Sequence, residues 1–118
     1  MDRTAALALY EKLVATNPQV ERKGDTMPYT SLNGHMFSVL HKDGSVALRL
    51  PAAELATFLE KYATKRPVQY GIELKEYAVV PDALLKKTKE LARWFETSRA
   101  YVASLKPKPT KRAKKKGG

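Results

Sequence analysis

Two turn dipeptides, Asn33-Gly34 and Asp43-Gly44, stand ten residues apart in this 118-residue chain and constrain its fold more than any other feature. Asn-Gly and Asp-Gly supply the positive φ angles that two-residue hairpin turns demand. Around them lie three short β-prone runs, MPYTSL, HMFSVLHK and SVALRL, the last closed by Pro51. Two tight hairpins in succession predict a three-stranded antiparallel meander from Met27 to Leu50.

Helical spacing brackets the meander. Ala5, Ala6, Leu9, Tyr10, Leu13 and Val14 predict an amphipathic helix over 3–16, stopped by Asn17-Pro18, because the residue before proline is pushed out of the helical region. Pro51 opens a second helix with Leu55, Phe58, Leu59 and Tyr62 on its apolar face. TKRPVQYG reads as a loop with a short strand near Val68–Tyr70. IELKEYAVV then alternates, with Ile72, Leu74, Ala78 and Val80 on one side, as a half-buried strand does. Pro81-Asp82 opens a long final helix, whose Leu84, Thr88, Leu91, Phe95, Ser98, Val102 and Leu105 step by four and three. The order α-β-β-β-α-β(β)-α predicts an α+β fold, a two-layer sandwich with an antiparallel meander sheet and helices on one face.

Composition narrows the function by exclusion. Cysteine is absent, so disulfides, thiol catalysis and thiolate metal sites are out, in keeping with a cytoplasmic location. No stretch approaches the ~18 consecutive apolar residues of a membrane span, and the N-terminal segment reads as an amphipathic helix rather than a signal peptide. There is no P-loop, no dinucleotide-binding glycine pattern and no nucleophile elbow around any serine. Glu73 and Glu76, three apart on a strand, would face opposite sides and could not share a proton. His35 and His41 are six apart, so on a strand they would lie about 20 Å from each other at ~3.3 Å per residue, too far to share one metal ion. Both sit beside turns and read as solvent-near strand ends. No cofactor, metal or small-molecule substrate is expected, and no enzymatic activity.

Most of the net charge is concentrated in one place. Seven of the chain's 22 basic side chains fall in residues 106–118, which carry no acid, while residues 1–105 hold 15 basic and 12 acidic groups. The chain therefore divides into a domain, 1–105, and a tail, KPKPTKRAKKKGG, which cannot build a packed core and is expected to be disordered. Lys106, Lys108, Lys111, Arg112, Lys114, Lys115 and Lys116 are the candidate nucleic-acid contacts, through phosphate neutralisation that ignores base sequence. Alternatively the tail only solubilises. Arg49, at the end of VALRLP, is either an outward arginine paired with Glu54 or Glu76, or a contact for an acidic partner. Trp94 and Tyr101, seven apart on the flank of the last helix, either pack at the edge of the core or frame a strip for a protein partner or a second copy of the chain.

From Met27 onward the signals follow a recognisable order: NGHMF (33–37), DGSVALRLP (43–51), KEYAVVPDALL (75–85) and LARWFETSRAYVASLK (91–106). This order resembles the N-terminal domain of the TfoX/Sxy family, named for regulators of natural competence, over most of residues 3–105. The resemblance implies a two-layer α+β sandwich and a non-enzymatic, regulatory or protein-binding role. It places Arg49 at the family's basic strand end. PYTSL stands where the family has a glycine-rich segment, and the basic tail stands where competence regulators carry a second domain, so competence regulation itself does not carry over. The expectation is a cytoplasmic binding or regulatory module whose tail touches nucleic acid, the alternative being a protein-interaction adaptor or homodimer.

Overall fold

In the computed structural model, which describes residues 1–108, the three-stranded meander forms, with Asn33-Gly34 as a two-residue turn. Asp43-Gly44 departs from that expectation: only Gly44 takes positive φ, and the His41 amide bonds the Ser45 carbonyl across a three-residue loop, Lys42–Gly44. Helix α1 (Arg3–Val14) is followed by β1 (Tyr29–Leu32), β2 (His35–Leu40) and β3 (Val46–Arg49). Helix α2 (Ala52–Lys61) leads to a short ribbon of β4 (Val68–Gln69) and β5 (Ile72–Glu73), then to β6 (Tyr77–Val80), α3 (Asp82–Leu85) and α4 (Thr88–Ser104). The main sheet has the order β1-β2-β3-β6, antiparallel throughout. The glycines of the two turns sit at φ 80° and 91°, and Asn33 at 56°. Gly34 could not be replaced even by alanine without movement, since a Cβ there would fall 2.1 Å from the Lys108 carbonyl oxygen.

All four helices contribute to one core with the sheet. Tyr10 and Leu13 of α1, Phe58 of α2, Leu84 and Leu85 of α3, and Leu91, Phe95 and Val102 of α4 close over Leu40, Val46, Leu48, Leu50, Ala78 and Val80. The fold is α+β, with helices layered on one face of the antiparallel sheet. A β-bulge shapes the central contact. The β1–β2 register moves from Thr30↔Ser38 to Ser31↔Met36, leaving Phe37 as the extra residue. Phe37 and Ser38 are thereby both buried. Phe37 meets Phe95 with ring centroids 5.4 Å apart. Ser38 Oγ lies 2.6 Å from both the Tyr10 hydroxyl and Thr30 Oγ1. Three buried hydroxyls thus satisfy one another in the middle of an apolar core. Burial pushes the Tyr10 phenol up to about 12.

The structure corrects two elements of the sequence reading. IELKEYAVV is not one strand. Ile72 and Glu73 belong to the ribbon, Leu74–Glu76 turn, and only Tyr77–Val80 join the sheet, with Ile72 66% exposed. The physical cause is the Tyr70-Gly71 pair, whose positive φ angles of 55° and 76° fold the chain back on itself. The long final helix is also broken: Lys87 leaves the helical region at φ −97°, ψ 73°, and a new helix starts at Thr88. The break lets Leu84 and Leu85 pack with α1 and α4 on a separate axis.

The hydroxyl chain makes a stability prediction. Ser38→Ala strands both Tyr10 and Thr30 and is expected to cost about 2–4 kcal/mol, whereas Tyr10→Phe leaves the Thr30–Ser38 bond and costs about 1 kcal/mol. Urea unfolding of the two variants checks the order. Equal losses would contradict the shared-node geometry.

Candidate functional site

Of the candidate residues, Arg49 is the one that organises its surroundings. As the last residue of β3 it pairs with Tyr77 of β6, beside the Leu74–Glu76 turn. Its Nε donates to Glu76 Oε1 at 2.7 Å, and its Nη2 lies 2.6 Å from the same oxygen. The Tyr101 hydroxyl donates to the other oxygen, Oε2, at 2.9 Å. The guanidinium carbon stands 5.6 Å from the Tyr101 ring centroid, within cation–π range. Partial burial works against the Glu76 carboxylate, but the hydrogen bonds from Tyr101 and Arg49 outweigh it and hold its pKa below the usual glutamate range. Burial, then the adjacent carboxylate, raises the Tyr101 phenol. The Arg49 carbonyl meanwhile accepts a 2.6 Å bond from Ser98 Oγ of α4. Arg49 therefore pairs with Glu76 rather than Glu54, and Tyr101 joins it.

His35 connects this knot to the tail. Its Nε2 lies 2.9 Å from the Lys106 carbonyl oxygen, which can only accept, so that nitrogen carries the proton. The other nitrogen, Nδ1, then turns its lone pair toward Arg49 Nη1 at 3.5 Å. Two residues earlier, Asn33 Nδ2 donates to the Ala103 carbonyl at 3.1 Å and so caps the end of α4. The Lys108 amide donates to the Asn33 carbonyl at 2.8 Å. Residues 106–108 thus leave α4 docked on the Asn33-Gly34 turn, with the Lys106 and Lys108 side chains exposed. Lys111, Arg112, Lys114, Lys115 and Lys116 lie outside the described residues.

Trp94 belongs elsewhere. It fills the seam between α2 and α4, edge-on to Phe58 at 5.1 Å and to Tyr62 at 6.1 Å. Its Nε1 donates to the Tyr62 hydroxyl at 2.9 Å, which donates in turn to Glu90. That hydrogen bond holds the Glu90 carboxyl below its ordinary range. Trp94 and Tyr101 are both packed against the core, as the edge-of-core alternative expected, and each spends its polar tip inside the chain. They serve two separate networks.

His41 contradicts its reading as a solvent-near strand end. It is only 4% exposed, and neither ring nitrogen has a hydrogen-bond partner. The cause is α1, whose first turn lies over the Asp43-Gly44 turn: Arg3 Nε donates to the His41 carbonyl, and a Cβ at Gly44 would sit 3.6 Å from Arg3 Cα. The extra residue at Phe37 also interrupts the alternation between the histidines, which mark opposite ends of β2. Among the described residues no group of three His, Cys, Asp or Glu side chains converges to hold a metal ion, and no helix is long and apolar enough to cross a membrane. Compared with known proteins, the chain matches no family model, no curated protein and no solved structure.

Sequence reasoning missed the anchoring roles of Asn33 and His35. The signal was present only as proximity to a turn; the docking partner, seventy residues away, was invisible. Burial lowers the His41 pKa below 6.5, with Asp43 opposing. The unfolded chain then binds the proton more readily, so this contribution to stability is complete above about pH 6.5 and is lost as pH falls below it. Thermal melting between pH 7.5 and 5 is expected to show that decline, and His41→Leu to flatten it. A decline of the same size in the variant would assign the effect to other groups.

Proposed function

We propose that the chain is a non-enzymatic, cytoplasmic binding module of the TfoX N-terminal-domain type that engages nucleic acid through phosphates at its basic C-terminal segment. The observation that carries this reading is the separation of charge. Seven cations without an acid follow a domain that is nearly balanced, and the first residues of that segment leave α4 from a defined place. The Asn33 cap, the His35–Lys106 contact and the Lys108–Asn33 hydrogen bond give residues 106–108 one exit at the Arg49 end of the sheet. This exit places Lys106 and Lys108 at one end of the domain, and backbone phosphates need no further geometry than closely spaced lysines and arginines. Regulation, on this reading, is occupancy of nucleic acid by a small domain rather than chemistry on a substrate.

Salt dependence measures the contact directly. With about five phosphates neutralised, the log–log slope of duplex affinity against salt is expected near −4 to −5. Replacing Lys111, Arg112, Lys114, Lys115 and Lys116 together by Gln in the 118-residue chain leaves two tail cations and is expected to reduce the slope to about −2. A slope unmoved by the substitutions, or affinity insensitive to salt, would show that the tail only solubilises.

A further inference from the structure

The β4–β5 ribbon is the part of the domain that the core does not use. Val68 is 58% exposed, Ile72 66% and Tyr70 88%, the largest exposures of any large hydrophobic side chain among the described residues. Its turn has the same backbone as the Asn33-Gly34 turn: Tyr70 and Gly71 at φ 55° and 76°, Asn33 and Gly34 at 56° and 80°. Asparagine tolerates that left-handed conformation through its short polar side chain, whereas a bulky aromatic residue there is an outlier. Nothing among the described residues explains the tyrosine. Among the described residues its hydroxyl makes no hydrogen bond, and a Cβ built on Gly71 meets nothing within 4 Å. An unfavourable backbone state that holds an aromatic ring in solvent points to a role outside the chain.

The position and charge of the ribbon say what that role is. The Val79 amide bonds the Lys65 carbonyl and the Leu74 amide the Pro67 carbonyl, so residues 65–67 run alongside β6 and carry the ribbon beyond its first residue, Tyr77. That is the end of the sheet where Arg49 sits and where the chain leaves at Lys106–Lys108. Lys65, Arg66 and Lys75 stand at the root of the ribbon, and among the described residues none of them forms a salt bridge; the Arg66 Nε donates to the Lys75 carbonyl at 2.9 Å. The acid on the ribbon is Glu73, while Glu76 is already engaged by Arg49. An exposed aromatic ring at the tip of a ribbon with cations at its root suits a base face flanked by phosphates. In a duplex the base faces are stacked on one another, so the ring has a partner only where bases are unpaired.

We propose that the Val68–Glu73 ribbon is a base-stacking finger for single-stranded nucleic acid, with Tyr70 on an unpaired base and Lys65, Arg66, Lys75, Lys106 and Lys108 on the flanking phosphates. The proposal rests on the phosphate-binding reading above and adds the unpaired strand as the preferred ligand.

The test uses the 118-residue chain with a fluorescein-labelled oligothymidylate and a duplex of the same length. The wild type is expected to favour the single strand. Tyr70→Ala should weaken oligothymidylate binding roughly five-fold or more, leaving duplex affinity and the salt slope in place, and Tyr70→Phe should retain binding. Tyr70→Asn should lose the same affinity while melting at a higher temperature, because the turn is no longer strained. Unchanged oligothymidylate binding by Tyr70→Ala overturns the proposal. If that variant instead loses self-association, the ribbon is a protein contact. A wild type that binds duplex through its tail without preferring the single strand overturns the finger alone; one that binds neither overturns the phosphate reading as well.

Discussion

The Arg49 guanidinium, held between Glu76 and the ring of Tyr101, is the interaction on which one whole end of the molecule depends. Through its side chain it ties the end of β3 to the turn before β6 and to α4, and through its carbonyl it accepts Ser98. His35 extends the same network to β2 and to the first tail residue. Exposed ion pairs contribute little to stability. This one has a side chain only 20% exposed on the arginine and both carboxylate oxygens occupied, so its consequence is positional. It holds the Leu74–Glu76 turn, through which the chain returns from the ribbon to β6, against α4.

The opposite end is held by different physics. There the Asp43-Gly44 turn is closed by α1, and His41 is shut away without a partner for either nitrogen. Between the two ends the bulge at Phe37 admits both an aromatic contact and the Tyr10–Ser38–Thr30 hydroxyl chain into the core. The domain therefore has one end whose polar groups are satisfied and partly exposed, and another where a titratable group is buried unsatisfied.

The meander was legible because Asn-Gly and Asp-Gly mark where the chain turns back, although only Asn33-Gly34 keeps both residues at positive φ and Asp43-Gly44 sits in a three-residue loop. The helices were legible where one apolar stripe faced one core. The ribbon was not, although its signal is visible in retrospect: the alternation of Ile72 and Leu74 meets Glu76 where an apolar residue was due, and Tyr-Gly occupies a turn that asparagine usually fills. The break at Lys87 left no mark, since Leu84, Thr88 and Leu91 keep their helical spacing across it. At the candidate site, Glu76 could be named only as one of two alternative partners of Arg49, beside Glu54. The docking of Lys106 and Lys108 on the Asn33-Gly34 turn could not, because it depends on where α4 ends in space. His41 was misjudged for the same reason, as nothing local shows that α1 covers its turn.

The fold gathers an aromatic tip, a cationic root and the exit of the basic segment at one end of a four-stranded sheet, which is where we propose that nucleic acid binds. Titrating the isotopically labelled chain with an oligothymidylate, and following amide shifts by nuclear magnetic resonance, locates the contact residue by residue. The expected result is perturbation of Arg66, Tyr70, Gly71, Lys75, Lys106 and Lys108, with α1 and the Asp43-Gly44 turn unmoved. Shifts gathered around His41 and Asp43, or no shifts at all, would contradict it.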